Sequence, residues 1–282
     1  KDVQDWGADH AHALAVAATK DGSVLVGGQV RFADFDFGVV RYLPDGSLDT
    51  GFGDDGLARI GFDVGGTQSD SLHAILPLPD GKTLLAGSVA TATVNLPGIA
   101  RLTAAGELDP DFGVGGKIVL DLLPDTSTRV SVSSAVRQAD GRIVLLGTAT
   151  PASGPVQAHV FLLRLDEDGV PDLSFSSDGW TLLDLPNASF ESGDALAIDD
   201  AGRIHVGANA LAPDDFRPVY LRVGTTGLVE VLEVVDLGEV WIVADLAVDP
   251  VGGKILLSLR DNDADLDAGV VVRLDSAGNL DA

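Results

Sequence analysis

Asp21-Gly-Ser-Val-Leu-Val-Gly27 decides the fold, because this stretch returns as Asp80-Gly-Lys-Thr-Leu-Leu-Ala-Gly87 and as Asp140-Gly-Arg-Ile-Val-Leu-Leu-Gly147. Weaker copies of its turn lie at Ala201-Gly202 and Gly252-Gly253. Successive copies are roughly 60 residues apart, and self-similarity at a steady spacing is typical of proteins built from structural repeats. The chain is therefore predicted to contain five repeats.

Two further markers keep the same phase. An arginine ends a short apolar run in every repeat, at Arg41, Arg101, Arg164, Arg222 and Arg273. A connection of the form Gly-x-Leu-Asp followed by Phe and Gly comes next, at residues 46–56 and 106–116, in weaker form at 169–179, and in traces at Gly227 and Gly278. Together the markers place the repeats at residues 7–62, 63–122, 123–185, 186–237, and 238–282 joined with 1–6.

The apolar stretches within each repeat are short, rich in Val, Leu and Ile, and bounded by Gly, Asp and Pro, which is typical of strands and turns. In the second repeat the predicted strands are Leu72–Leu78, Thr83–Val89, Gly98–Thr103 and Lys117–Leu122. This pattern predicts one all-β domain over residues 1–282, a five-bladed β-propeller with four-stranded antiparallel blades. A linear stack of separate domains is the alternative, but repeats of about 58 residues without disulfides would be marginal alone.

Three strings resemble one known family. They are Asp21-Gly-Ser-Val-Leu-Val-Gly27, Asp36-Phe-Gly-Val-Val-Arg41 and residues 45–56, Asp-Gly-Ser-Leu-Asp-Thr-Gly-Phe-Gly-Asp-Asp-Gly. They resemble the bacterial delta-60 repeat family, which is predicted to form β-propellers. The resemblance implies a repeat architecture within large exported or surface proteins. It implies no catalytic residues.

Composition excludes several classes of function. The chain has 43 acidic against 18 basic residues, and its formal net charge of -25 would repel nucleic acid and anionic lipid. It has no cysteine, which excludes disulfides, thiolate metal sites and a cysteine nucleophile. No apolar run is long enough for membrane insertion. The first residue, Lys1, and the acidic composition favour an exported bacterial protein in the periplasm, at the cell surface or outside the cell. We expect a monomeric domain that can be part of a longer chain.

The acidic residues that connect the second and third strands of repeats one, four and five are the candidate site. Asp34, Asp36, Asp214 and Asp215 are predicted to bind a ligand, and a closed ring would gather them with the acids of repeat five. Those acids, the candidate metal ligands, are Asp261, Asp263, Asp265 and Asp267. Their alternation suggests calcium, which takes several oxygen ligands. Leu266 and Val272 replace the glycine and glutamate of an EF-hand, so a solvated acidic loop is the alternative.

Other motifs favour structural roles. Residues 51–56 fit G-x-G-x-x-G, but a strand follows where a dinucleotide site needs a helix. The five repeated arginines are interpreted as stems packed between blades with heads paired to acids, and His205 as a core histidine. Alternatively, His12 and His73 at the first strands could join Asp194 or Asp245 as metal ligands or as an acid and base.

The leading functional hypothesis is a non-catalytic binding or scaffold module that recognises a protein or glycan partner through its variable loops. It rests on the predicted fold and on the lack of a catalytic constellation. The alternative is a hydrolase that acts on a polysaccharide or lactone through carboxylates at the central channel. A purely structural segment of a long surface protein is a third possibility.

Ring closure gives the first testable prediction. The chain ends before a fourth strand of repeat five, and Lys1–Trp6 is expected to supply it beside Val270–Leu274, whereas a further blade in a longer protein is the rival. Deleting these six residues should lower the melting temperature and promote association through the uncovered strand edge. The check is thermal melting together with light scattering. An unchanged melting temperature would show that this segment does not close the ring.

Overall fold

The chain is an all-β protein over the part that the computed structural model describes. That part comprises residues 10–65, 69–121, 129–151, 158–185, 188–212, 215–237, 240–261 and 268–281. These ranges contain strands β1 to β19 and no helix, which confirms the predicted fold class. It follows that none of the described residues belongs to a helix that could span a membrane.

The strands follow the repeats in order. Repeats one and two contain β1 (His10–Ala18), β2 (Val24–Arg31), β3 (Phe35–Tyr42), β4 (Leu57–Ile60), β5 (Ser71–Pro77), β6 (Thr83–Ala90), β7 (Asn95–Leu102) and β8 (Lys117–Val119). Repeats three and four contain β9 (Arg129–Arg137), β10 (Ile143–Thr150), β11 (His159–Leu165), β12 (Trp180–Leu183), β13 (Phe190–Ile198), β14 (Ile204–Ala212), β15 (Asp215–Val223) and β16 (Val229–Val234). Repeat five contains β17 (Trp241–Val248), β18 (Ile255–Asp261) and β19 (Gly269–Leu274).

Each repeat forms one antiparallel sheet whose strands lie side by side in chain order. Sheets β1 to β4, β5 to β8, β9 to β12 and β13 to β16 have four strands, and sheet β17 to β19 has three. In the second sheet, Thr83 lies opposite Leu102 and Ala100 lies opposite Lys117. The four strands predicted for this repeat are confirmed, although β8 ends at Val119, earlier than expected.

The fifth sheet has no fourth strand within the described part of the chain. Lys1–Trp6, the segment expected to complete this sheet, lies outside the described residues. Closure of the ring by the N-terminus therefore stays a prediction.

Two compact units divide the chain at Ala135 and Val136. In the first unit, one apolar cluster joins sheets one and two, with Phe37, Leu72 and Leu85 fully buried. In the second unit, one cluster joins β10 to β12 with β13 to β15, and another joins β13 and β15 with the fifth sheet. Neighbouring sheets thus share their cores within each unit, as the repeat pattern requires.

The repeated arginine has the structural role that the sequence predicts. The Nε atoms of Arg41, Arg101 and Arg164 donate to the aspartate of the following connection at 2.7, 2.6 and 2.8 Å. Each guanidinium also lies over the phenylalanine three residues after that aspartate, at 4.6 to 4.7 Å from the ring centroid. The acid and the ring hold one planar group from its edge and its face.

The same guanidinium reaches the next repeat. Nη1 of Arg41 donates to the carbonyl of Ala104, and Nη1 of Arg164 donates to that of Thr225, both at 2.6 Å. Gly106 is needed at this approach, because a Cβ there would lie 2.7 Å from the backbone nitrogen of Gly53. Its φ of +81° also disfavours other residues. The arginine therefore connects successive sheets within a unit.

Replacing Arg164 by lysine tests this connection. The Arg164 side chain is 4% exposed, and lysine keeps the charge but cannot form the forked set of hydrogen bonds to Asp172, Thr225 and Ser174. We expect Arg164→Lys to lower the free energy of unfolding by about 2 kcal/mol, measured by urea denaturation. Arg273→Lys is the control, because Arg273 is 50% exposed beside Asp281. Equal losses in the two variants would contradict the proposed connection.

Candidate functional site

Two buried carboxylates occupy equivalent positions at the start of the first strands of sheets two and four. Asp70 precedes β5 and accepts backbone N–H groups of Phe62 at 3.0 Å and Ala90 at 3.1 Å. Glu191, the second residue of β13, accepts those of Leu185 at 2.9 Å and Val160 at 3.2 Å. Each carboxylate therefore joins its strand to two other backbone segments.

Burial raises the pKa of both carboxyl groups, although the backbone N–H groups oppose the shift. Asp70 is 1% and Glu191 is 2% exposed. Sequence reasoning missed both residues. The available signal was an acid at or before the start of a first strand, since an acid there must find donors once the strand is buried.

Asp34 and Asp36 lie in the first unit, near Asp70. Asp36 is a buried residue of β3 whose carboxylate pairs with the guanidinium of Arg59 on β4. Nη2 of Arg59 also lies 3.6 Å from Oδ1 of Asp34. Burial raises the pKa of Asp36 despite this pairing. The structure thus brings Asp34 and Asp36 together, with Asp36 neutralised by an arginine from its own sheet.

The other predicted acidic ligands are only partly described. Asp214, Asp263, Asp265 and Asp267 lie outside the described residues. The backbone of Asp215 begins β15 opposite Ala212. Asp261 ends β18, where its N–H donates to the carbonyl of Ala268 at 3.0 Å. The gathering of these acids with Asp34 and Asp36, and calcium binding by them, stay predictions.

Asp194 and His73 occupy equivalent bulges in the first strands of sheets four and two. The strand registers shift between Gly193 and Ala195 and between Leu72 and Ala74. Oδ2 of Asp194 accepts hydrogen bonds from Ser192 Oγ and Asn209 Nδ2, each at 2.8 Å, and burial raises its pKa. A bulge commonly re-aims a side chain next to a functional site, which makes Asp194 the candidate proton donor of unit two.

His73 has a simpler environment. It hydrogen-bonds Ser71 Oγ at 2.8 Å, and burial lowers its pKa, which favours a neutral ring. His12, on β1, is exposed, and no hydrogen bond joins it to His73 in the described part of unit one. Asp245 is exposed and accepts the N–H of Leu246 at 2.8 Å.

His205 is a core histidine, as the sequence predicts. It is 2% exposed and lies between Tyr220 Oη at 2.8 Å and Asp199 Oδ2 at 3.2 Å. Burial lowers the pKa of His205 and raises that of Tyr220 to about 12. Both ring nitrogens have partners, so His205 has a structural role.

A group of metal-ligand type lies at the start of β13. One ligand atom from each of His159, Asp184 and Glu191 lies within 4.8 Å of the other two. His159 begins β11, Asp184 follows β12, and Glu191 is the buried carboxylate already described. The sequence did not single out these three residues, because they become neighbours only when β11 to β13 pack together.

A crevice of about 480 Å³ opens at the turns of sheets three and four, within the second unit. Its lining comprises Gln138, Ala139, Asp140, Arg142, Arg164, Ser174, Asp200, Ala201, Gly202, Thr225 and Thr226. Gln138 is 5% exposed, and its Nε2 donates to the carbonyl of Gly202 at 2.9 Å. Its Oε1 is buried and has no hydrogen-bond partner among the residues that the structure describes.

The equivalent crevice of unit one is smaller. It encloses about 180 Å³ and is lined by Lys20, Pro79 and Lys82, among others. Lys82 extends to Asp109, with Nζ and Oδ2 2.8 Å apart. The larger crevice lies at the turns of sheets three and four, whereas the sequence-based candidates lie in the connections between second and third strands, so sequence reasoning missed this crevice.

Comparison with known proteins supports a β-propeller family. A family model described as "Domain of unknown function (DUF5122) beta-propeller" matches residues 19–52, 78–112 and 138–175. Each matched segment starts at the turn before the second strand of a repeat and ends at Phe52, Phe112 or Phe175. The matches therefore coincide with the first three repeats found in the sequence. No curated protein matches the chain.

Solved structures confirm the similarity of fold. A protein of unknown function from Dyadobacter fermentans is 14% identical, with a TM-score of 0.61, over 95% of this chain and 80% of that protein. An α-L-arabinofuranosidase from Fusarium graminearum is 12% identical, with a TM-score of 0.55, over 94% and 75%. The periplasmic gluconolactonase of Pseudomonas aeruginosa is 16% identical, with a TM-score of 0.52, over 96% and 72%. At these identities the similarity shows the fold alone.

Asp70 gives a pH-dependence prediction. Its folded-state pKa is raised above the unfolded value of about 3.9, so the folded state holds this proton more tightly. Asp70 should therefore contribute most stability below that value and progressively less as the pH rises through its folded pKa. We expect the free energy of unfolding of the wild type, relative to Asp70→Asn, to fall as the pH rises above about 4. Urea denaturation at several pH values measures this difference.

Asp45→Asn is the control of opposite sign. Hydrogen bonds from the Ser47 hydroxyl and backbone lower the pKa of this exposed turn aspartate. Its contribution should be present above the unfolded pKa and disappear as the pH falls through the folded value. If the pH dependence of the free energy of unfolding, measured relative to each variant, had the same sign for Asp70→Asn and Asp45→Asn, burial would not control the pKa of Asp70.

Proposed function

We propose that the chain is a non-catalytic binding propeller of an exported bacterial protein, with a glycan or protein partner that enters the crevice of unit two. The observation that carries this proposal is Oε1 of Gln138 at that crevice, a buried acceptor for which the described residues provide no hydrogen-bond donor. A buried polar atom without a partner is costly, and a turn of the Gln138 side chain that brought Oε1 to a donor of a ligand would remove the cost. The sequence favoured the variable loops as the binding surface. The described geometry instead supports the crevice at the turns of sheets three and four.

The crevice offers both donors and acceptors. Arg142, whose side chain is 39% exposed, and the hydroxyl groups of Thr225 and Thr226 can donate. Gln138 and Asp140 offer acceptor oxygens. A hydroxyl group both donates and accepts, so a sugar ring or a hydroxyl-rich peptide segment fits this lining. The volume lies within the range of small-molecule sites.

The similarity to known proteins supports the proposed repeat type, the proposed export and the proposed glycan partner. The segments matched by the propeller family coincide with the strings that resemble delta-60 repeats, so we assign the chain to that type of repeat. Export is supported by composition and by the Pseudomonas aeruginosa relative in fold, a periplasmic gluconolactonase. The Fusarium graminearum relative in fold is a glycosidase and supports a glycan as the partner.

A second candidate function is hydrolysis of a glycosidic or lactone bond, and Asp194 favours it. Its pKa is raised by burial, and Ser192 and Asn209 fix its carboxylate at 2.8 Å each. Burial favours the protonated form of this carboxyl group, and a protonated carboxyl group can donate a proton to a leaving oxygen. Fold similarity to a glycosidase and a lactonase supports the same hypothesis of hydrolysis.

Binding to an array of immobilised glycans, together with an assay for released sugar, tests both candidates. The wild type should bind without releasing sugar, and Ala201→Trp, which places a large ring at an exposed position of the crevice, should weaken binding at least about tenfold. Ala104→Trp, the same change at an exposed position of the smaller crevice, should leave binding unchanged.

Three outcomes separate the candidates. Unchanged binding by Ala201→Trp would exclude the crevice as the site. Absence of binding to every glycan, repeated for a set of surface peptides, would contradict the binding function. Sugar release by the wild type that is lost in Asp194→Asn would replace the first candidate with the hydrolase.

A further inference from the structure

We propose that His159, Asp184 and Glu191 form a binding site for a divalent cation of the zinc type in the second unit. This inference goes beyond the proposed binding function, because the three residues do not line the crevice. Imidazole and carboxylate are the ligand types that zinc accepts besides thiolate, which this chain cannot provide.

The distances suit such an ion. Zinc bonds to nitrogen and oxygen are about 2.0–2.2 Å long, so two ligands of a tetrahedral ion lie roughly 3.4 Å apart. Nδ1 of His159 and Oε2 of Glu191 are separated by 3.6 Å. All three ligand atoms lie within 4.8 Å of one another, and Asp184, which is exposed, can approach by a side-chain rotation.

Glu191 is already oriented for this role. Its two oxygens accept the N–H groups of Leu185 and Val160, which fix the plane of the carboxylate. Each carboxylate oxygen has a second lone pair, which can bind an ion. Metal-ligating carboxylates are commonly held by such hydrogen bonds from the surrounding protein.

Asp70 in unit one occupies the position equivalent to that of Glu191 in unit two, and the surroundings of the two carboxylates can be compared residue by residue. The N–H of Asp70 donates to the carbonyl of Phe35 at 2.7 Å, and that of Glu191 donates to Ala158 at 2.9 Å. Asp36, the residue after Phe35, therefore corresponds to His159, the residue after Ala158.

The two equivalent positions differ in whether an arginine is present. Phe62 and Leu185 donate to the equivalent carboxylates, so Arg59, three residues before Phe62, corresponds to Leu182. In unit one Arg59 neutralises the acids, whereas unit two has an exposed leucine at that place and adds Asp184. A bound divalent cation would supply the positive charge that Arg59 supplies in unit one.

The ligand set discriminates between ions. Calcium prefers six to eight oxygen ligands, whereas one imidazole and two carboxylates suit zinc, with water in the fourth position. His159 has a 27% exposed side chain and Asp184 is exposed, so the ion would face solvent on one side. None of these three residues belongs to the acidic stretch 261–267, for which the sequence suggests calcium.

Isothermal titration calorimetry with zinc chloride on the chelator-treated chain tests the proposal, with melting temperature as a second readout. We expect one zinc ion per chain, a rise in melting temperature, and no comparable effect of calcium at matched ionic strength. His159→Gln and Asp184→Asn should each weaken zinc binding at least about tenfold. His12→Gln, which changes an exposed histidine of unit one, should bind zinc like the wild type.

Each contrary result overturns the site. No heat of zinc binding, or equal zinc binding by wild type and Asp184→Asn, would exclude it. An effect of calcium equal to that of zinc would also contradict the ligand assignment. Because Asp184 is exposed, its substitution leaves the fold intact, and the melting temperature without metal verifies this.

Discussion

The forked arginine and its aspartate are the interaction on which the repeat architecture depends. One guanidinium, as at Arg164, binds the aspartate of its own connection, lies over a phenylalanine, and donates to a carbonyl of the next sheet. Three contacts from one planar group fix the end of the third strand, the connection and the neighbouring turn together. This explains why the arginine, the Gly-x-Leu-Asp turn and the phenylalanine recur in the same phase, because each needs the other two.

The sheets differ elsewhere, although repeats one to three keep this interaction. In repeat four, Arg222 pairs with Glu230 instead. At the start of β5, Asp70 lies near Asp36, whose carboxylate is paired with Arg59. At the start of β13, Glu191 has His159 and Asp184 as neighbours instead. The buried carboxylate remains in both because two backbone N–H groups need an acceptor there. What changes is the source of positive charge, and such a change can convert a structural position into a binding position.

Sequence reasoning predicted what local chemistry controls. The four strands of the second repeat followed from apolar runs bounded by Gly, Asp and Pro. The recurrence of one arginine in every repeat predicted its pairing with a nearby acid, which the structure identifies as Asp49 for Arg41. Asp70 and Glu191 were missed, because their donors belong to strands that come near only in the folded protein. The larger crevice was missed because its turns recur in every repeat, so the sequence pattern does not distinguish the turns of sheets three and four from the others.

Some of the acidic residues have a structural role in turns. Asp21 accepts the Thr19 hydroxyl and the Ser23 N–H, and these bonds lower its pKa to about 2. Asp275 of the fifth repeat accepts hydrogen bonds from Asn279 and Ala277, which lower its pKa below the usual value. An aspartate in such a turn satisfies the backbone of its own loop and stays ionised. Such turn aspartates contribute to the net charge of -25 without indicating a function, which is better sought where a polar group is buried, as at Gln138 and Glu191.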